Sequence, residues 1–270
     1  MRKVALVTGA TRGIGRSIAL ALGEAGFSVV ATGRTIEEGA GRQDCMGSVP
    51  VPGSLASTVG AIEEAGGEAL GVRLDLLDRA SIDAAVATVL DRWGQVDVLV
   101  NNGIYQGPAI LQSLIDVDMA GVEDAVQGNF VNQFYLSREL LKPMIAQGGG
   151  RMIFVSTLSS AQPAQGHSGL FYIAPKAAFN RLPDFINHEH GKDGISAFLI
   201  EPQFTLTDTL KAAMGEQTAL SAFEAKPRDP YETARTVVWL ADHPDAPAYA
   251  GPEMINAPDF FADRGIALPV

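Results

Sequence analysis

Tyr172 and Lys176 stand four residues apart in Tyr172-Ile173-Ala174-Pro175-Lys176, within a stretch of helical periodicity. That spacing puts both side chains on one helix face. A phenol with an ordinary pKa of about 10 is a poor base at neutral pH. An ammonium beside it favours the phenolate and lowers that value. Such a pair suits proton transfer at a substrate oxygen. A second constellation precedes it, Thr8-Gly9-Ala10-Thr11-Arg12-Gly13-Ile14-Gly15, between an apolar run and a helical pattern. Glycines there let the backbone turn sharply and approach a pyrophosphate, while free N–H groups at the helix start meet its charge. Arg34 follows Thr32-Gly33 at the close of the second apolar run, with no acid beside it in sequence. An acid at that place accepts from ribose hydroxyls, whereas a guanidinium pairs with a 2′-phosphate. The expected cofactor is therefore NADP(H), with NAD(H) the alternative.

The elements that must position these groups follow an alternating order. Strands are expected over 4–7, 27–32, 69–74, 96–100, 152–155, 195–200 and 253–256. Helices are expected over 14–25, 55–66, 80–93, 122–147, 168–190 and 231–242. Continuous apolar strands separated by helices fit a parallel sheet covered on both faces, a doubly wound α/β fold. The Gly/Pro-rich segment 36–54 carries no pattern and is expected to be a surface loop.

The glycine spacing Gly-x-x-x-Gly-x-Gly, Asn101-Asn102-Gly103, the Tyr-x-x-x-Lys run and Pro202-Gln203-Phe204-Thr205-Leu206-Thr207 occur in the order found in one family. Over roughly residues 3 to 245 the chain resembles the short-chain dehydrogenase/reductase family. The resemblance implies a Rossmann-type three-layer α/β/α domain of about seven strands spanning 1–270, with a substrate loop near 204–228. It also implies an NADP(H)-dependent oxidoreductase that interconverts a ketone and a secondary alcohol. Tyr172 would be the general acid/base, and Lys176 would also bind the nicotinamide ribose. Asn129 matches the helix Asn that holds a water in the proton relay, and Asn132 competes with it on chemistry alone. Gly9, Thr11, Arg12, Gly13, Ile14, Gly15, Arg34, Asp75, Leu76, Asn102, Gly103, Pro202, Thr205 and Thr207 would line the cofactor. Arg12 would lie near the same phosphate as Arg34, and Asp75 would contact adenine or cap a helix.

The family's substrate-binding hydroxyl has two candidates. Counting along the fifth strand from Arg151 gives Thr157, and counting thirteen residues back from Tyr172 gives Ser159. Side-chain identity and tyrosine spacing lean toward Ser159, while the tolerance of loops for insertions favours Thr157. Gln162, Pro163, His167, Phe171, Phe204 and the segment 205–228 are candidates for the substrate side. A steroid-like or cyclic alcohol, a simple ketone and a 3-oxoacyl thioester all fit them. Three departures from the family stand out: Gly103-Ile104 after the Asn pair, Gln203 in place of a Gly, and the C-terminal stretch Gly251-Pro252-Glu253-Met254-Ile255-Asn256-Ala257-Pro258-Asp259. The competing reading is an NADP(H)-binding sensor or scaffold without catalysis.

A net charge of −11 argues against nucleic acid and disfavours an acidic carrier-protein partner. No apolar run is long enough for a membrane span, and the lone Cys45 excludes an intrachain disulfide, which fits a cytoplasmic protein. His188 and His190 lack the spacing of a helical metal site, so none is expected. A homo-tetramer or homo-dimer is expected, since relatives pack the counterparts of 122–147 and 168–190 across a two-fold axis.

Overall fold

Short Val-, Ile- and Ala-rich runs have little polar surface to present to water, and a parallel sheet buries both of their faces. The computed structural model describes all residues except 1, 46, 165–168, 223–225 and 267–270. In chain order the strands are β1 (Val4–Thr8), β2 (Ser28–Gly33), β3 (Arg42–Gln43), β4 (Val49–Pro50), β5 (Glu68–Arg73), β6 (Val98–Asn101), β7 (Gly150–Val155), β8 (Ile195–Glu201) and β9 (Met254–Asn256). Seven of them form one parallel sheet in the order β5-β2-β1-β6-β7-β8-β9. Every residue of β1 and β2 is buried, whereas the edge strand β5 alternates.

Helices cover both faces. One face packs α1 (Gly13–Glu24), α2 (Leu55–Glu64) and, later in the chain, α10 (Pro230–Asp242), through Ile18, Leu22, Ile62, Val237 and Leu240. The other packs α3 (Arg79–Trp93) and α5 (Asn132–Ala146) through Ile82, Val89, Leu136 and Leu140. Successive strands run outward from β1 in both directions, so the order reverses between β1 and β6. A crevice opens there beyond the carboxyl ends of the strands.

Three expectations needed revision. The helix foreseen over 122–147 is α4 (Met119–Val126), a π-turn at Gln127–Val131 and then α5. The helix foreseen over 168–190 is α6 (Leu170–Phe179) and α7 (Leu182–His190), with Pro183 opening the second. Pro lacks an N–H and sits readily in a first helical turn, which suits a new start at that point. The segment 36–54 is not shapeless. Its β3 and β4 pair as a small antiparallel hairpin, Arg42 opposite Pro50 and Gln43 opposite Val49. Two short helices, α8 (Asp208–Met214) and α9 (Glu216–Ala222), follow β8.

Candidate active site

The phosphate turn and the loop after β6 are locked together by one buried hydroxyl. Thr8 Oγ1 donates to the Val100 carbonyl at 3.1 Å and accepts from the N–H groups of Asn102 (2.9 Å) and Gly103 (2.8 Å). Asn102 Nδ2 in turn donates to the Thr8 carbonyl at 2.9 Å. Gly9 sits at φ +67°, and a Cβ there would stand 2.7 Å from the Gly103 Cα. At Gly15 a Cβ would come within 2.2 Å of the Gly9 carbonyl oxygen and 2.4 Å of Asn102 Nδ2. A Cβ on Gly13 would meet Thr207 at 3.1 Å, so the turn also abuts the start of α8. Arg12 precedes α1 without a side-chain cap, and Ile14 follows in its first turn. The backbone N–H groups at that helix start therefore remain available to an anion. These features fit a dinucleotide pyrophosphate.

Thr11, Arg34, Asp75, Leu76 and Gly103 line one cleft with the turn, together with Arg42, Gln43 and Tyr105. Arg12 also borders it beside Arg34, with its guanidinium held by the neighbouring segment. Its Nε donates to the Pro52 carbonyl at 2.6 Å, and Nη2 donates to the Gly53 carbonyl (2.9 Å) and Thr35 Oγ1 (3.2 Å). The hairpin segment brings those carbonyls within reach, and Arg12 is its strut. The hairpin also sets Asp44 3.9 Å from Arg34, an acid beside the arginine that sequence order did not reveal. Asp75 accepts from the Leu77 N–H at 3.0 Å, while the cap of α3 is Asp78. The capping alternative for Asp75 is therefore wrong by three residues.

Tyr172 is half-buried and Lys176 is 2% exposed on α6. Lys176 Nζ donates to the Val155 carbonyl at 2.6 Å and lies 4.5 Å from the centre of the Phe179 ring. Burial pushes its pKa down to about 7, against a smaller upward pull from the Glu201 carboxylate. Burial, with a smaller contribution from the Glu201 carboxylate, pushes the Tyr172 phenol up to about 12. The phenol is thus raised where a lowering by the ammonium was expected, because burial disfavours its anionic form. Among the described residues the phenol oxygen has no hydrogen-bond partner.

Asn129 sits in the π-turn, 1% exposed. Its Oδ1 accepts from the Tyr105 N–H at 2.7 Å and its Nδ2 donates to the Tyr105 carbonyl at 3.0 Å. The side chain thereby fixes the loop after β6, and one N–H of its amide and one lone pair of its oxygen remain for a further partner. Asn132 is equally committed, to the Leu76 carbonyl, Arg79 and Gln127.

The register of β7 on β8 runs unbroken from Gly150 opposite Ile195 to Val155 opposite Ile200, and the Ser156 N–H continues it to the Ile200 carbonyl at 2.8 Å. No bulge interrupts the strand up to Ser156. Thr157 and Ser159 both lie past the paired part of the strand, Ser159 within the turn Leu158–Ala161, so both remain candidates. Both hydroxyl residues are half-buried.

Residues after β8 carry a network that sequence reasoning missed. Glu201 Oε1 accepts from the Gln203 N–H at 2.9 Å, and Oε2 accepts from the Leu158 N–H. Gln203 adopts φ +56°, the left-handed region where the family's Gly is at ease. Its Nε2 donates to Asn256 Oδ1 (2.6 Å) and Asp259 Oδ2 (2.9 Å), and Arg228 pairs with Asp259 at 2.7 Å. Two of the three departures from the family are thereby one feature: the atypical ending supplies the acceptors that hold the atypical Gln203. Pro202 and Thr205 are buried beside it, and Thr207 caps α8 through the Leu210 N–H. Phe171 and Phe204 are half-buried, Gln162 and Pro163 are exposed, and His167 lies outside the described residues. The signal for Glu201 was present in the sequence, a charged residue closing the apolar strand 195–200.

The short chain dehydrogenase family matches residues 3–218. A 3beta-hydroxysteroid dehydrogenase of Mediterraneibacter gnavus is 32% identical over 233 residues, 85% of this chain and 76% of that protein. The 3-oxoacyl-(acyl-carrier-protein) reductase FabG of Vibrio harveyi is 32% identical over 253 residues, 92% of this chain and 93% of that protein. Among solved structures, a variant of the actinorhodin polyketide ketoreductase with NADPH superposes with a TM-score of 0.78 at 27% identity, covering 96% and 97% of the two chains. A putative NAD(P)-dependent gluconate 5-dehydrogenase of Beutenbergia cavernae with bound NADP gives 0.77 at 26% identity, with 96% and 97% covered. The chain belongs to the short-chain dehydrogenase family, a family of oxidoreductases. Among the described residues no group of three or more His, Cys, Asp or Glu could hold a metal, and no helix is long and apolar enough to cross a membrane.

Gly15→Ala tests the interlock. The methyl group would press on the Gly9 carbonyl, so nucleotide binding should weaken by at least about tenfold, with about 1–3 kcal/mol of stability lost. Fluorescence titration with NADPH and chemical denaturation measure both, and unchanged binding would contradict the fit of this turn to a pyrophosphate.

Proposed function

We propose that the protein is an NADP(H)-dependent oxidoreductase that interconverts a ketone and a secondary alcohol. The observation that carries this reading is Tyr172. A phenol raised to about 12 is fully protonated at neutral pH and, among the described residues, has no hydrogen-bond partner to hold its proton. An alkoxide is a far stronger base than a phenolate, so even this weakened acid can protonate the oxygen of a carbonyl being reduced. A bound nicotinamide supplies the hydride. Thr157, at the end of a regular β7, donates the second hydrogen bond to the substrate oxygen, with Ser159 as the alternative donor. Lys176 holds the far side of the site through the Val155 carbonyl and binds the cofactor ribose. Asn129 positions the loop after β6. A pure sensor or scaffold would need no such proton donor, which disfavours the non-catalytic reading.

Tyr172→Phe should abolish turnover and leave NADPH affinity intact. Thr157→Val should cost about a hundred- to a thousand-fold in kcat, while Ser159→Ala costs far less. Steady-state kinetics with a ketone panel and NADPH decides; full activity in Tyr172→Phe would sink the proposal.

The preference for NADP(H) rests on Arg34, supported by Arg42 in the same cleft. Arg42 Nη1 donates to the carbonyls of Gly39 (3.2 Å) and Gly41 (2.9 Å) of its own hairpin, which fixes a second guanidinium at the mouth. A 2′-phosphate competes with Asp44 for Arg34. Arg34→Asp should weaken NADPH about tenfold or more and leave NADH little affected. Calorimetric titration showing tighter NADH than NADPH binding by the wild type would refute the preference.

The substrate is a medium-sized carbonyl compound. A sterol-like ketone and a 3-oxoacyl thioester both suit the half-buried Phe171 and Phe204, and the net charge of −11 favours a free substrate over one on an acidic carrier protein. A homo-oligomer is part of the same reading. Between α5 and α7 an apolar groove is lined by Phe130, Phe134, Leu141, Leu182, Phe185 and Ile186, with Phe134 46% and Phe185 54% exposed. A dimer through this face would bury them. Light scattering should find a dimer or tetramer at micromolar concentration and a smaller species for Phe185→Glu; a wild-type monomer would contradict this.

A further inference from the structure

Glu201 is a half-buried acid at the candidate site that, among the described residues, neither the phosphate turn nor the proton transfer has used. It ends β8, and its two oxygens face different segments. Oε2 takes the N–H of Leu158, the residue after Thr157, and Oε1 takes the N–H of Gln203, in the turn leading to α8. Each contact is a charge-assisted bond to a backbone group that the sheet cannot serve. The Gln203 turn is anchored again at its far side, where its amide reaches Asn256 and Asp259. The carboxylate therefore ties the segment carrying the substrate-side hydroxyl to the segment carrying Phe204. Its charge also acts on both Tyr172 and Lys176, although no ion pair forms with Lys176 within 4.0 Å among the described residues.

We infer that Glu201 is a positioning residue for proton delivery: it fixes the Thr157 turn and the Gln203 turn relative to each other, and places a fixed negative charge beside the Tyr172–Lys176 pair. This rests on the functional reading given above. Among the described residues the charged groups around Tyr172 are few. Lys176 lies on its own helix and Glu201 on β8. The turns 108–111, 127–131 and 158–161 that pack on α6 hold no ionisable side chain, and Glu123 and Asp124 of α4, which also packs on α6, are exposed to solvent. Glu201 is thus the acid whose removal changes the electrostatics of the pair. A negative charge opposes formation of a phenolate, so its loss makes the phenol easier to ionise.

Two variants separate position from charge. Glu201→Gln removes the charge and leaves a single acceptor oxygen; Glu201→Asp keeps the charge on a side chain too short to bridge both N–H groups. Both should lower kcat for ketone reduction by about ten- to a hundredfold, the size of losing a hydrogen bond to a charged group, without changing NADPH affinity. Only Glu201→Gln should move the alkaline rise of alcohol oxidation to lower pH. Unchanged kcat in both variants, or the same pH profile in wild type and Glu201→Gln, overturns the inference. If Glu201→Gln fails to fold, a wild-type kcat in Glu201→Asp still overturns the positioning role. Tyr172→Phe, assayed alongside, keeps the two levels apart: if it remains active the functional reading itself fails, whereas an inactive Tyr172→Phe with wild-type kinetics in both Glu201 variants sinks only the role of Glu201.

Discussion

The active edge is organised around the burial of one amine. Lys176 is almost entirely removed from water, without a carboxylate in contact among the described residues, so its charge is supported by a carbonyl and an aromatic face instead. That arrangement requires the end of β7 to stand still, because Val155 supplies the carbonyl. It also requires Phe179 to hold its ring, which packs edge-on against Phe154 with centroids 5.1 Å apart. The same dry environment raises the neighbouring phenol. Desolvation governs both groups: it leaves the phenol protonated at neutral pH and pushes the amine down to about 7.

Around that centre two segments brace the edge. Parallel strands deliver their carboxyl ends to one edge, and Thr8 uses a single hydroxyl to join two of the loops that emerge there. The hairpin of β3 and β4 stands outside the seven-stranded sheet. It recruits Arg12 as a strut and brings Arg42 and Asp44, of opposite charge, to the cleft. The residues at and after β9 are the other segment, because Asn256 and Asp259 make a left-handed Gln203 tolerable.

How much of this the sequence disclosed depends on the range of the interaction. Strands were legible because continuous burial writes itself into neighbouring residues, and the glycine turn was legible because its steric demand excludes every other side chain. The Tyr172–Lys176 pair was legible because four residues of helix place both on one face. Breaks within helices were not: the π-turn at Asn129 is imposed by tertiary packing, and the spacing of apolar residues passes through it unchanged. Contacts between distant segments were the least legible. Nothing local to Arg12 announces Pro52 and Gly53, and nothing near Arg34 announces Asp44.

Hydride delivery to a carbonyl carbon with Tyr172 protonating its oxygen leaves a mark on the product that binding alone cannot leave. Turnover of a panel of cyclic and acyclic ketones with NADPH deuterated at the nicotinamide C4, followed by mass spectrometry of the products, reads that mark directly. The predicted result is a secondary alcohol carrying one deuterium on the carbinol carbon, formed mole for mole with NADP. Tight NADPH binding with no alcohol formed from any ketone, or an alcohol without the label, would contradict it.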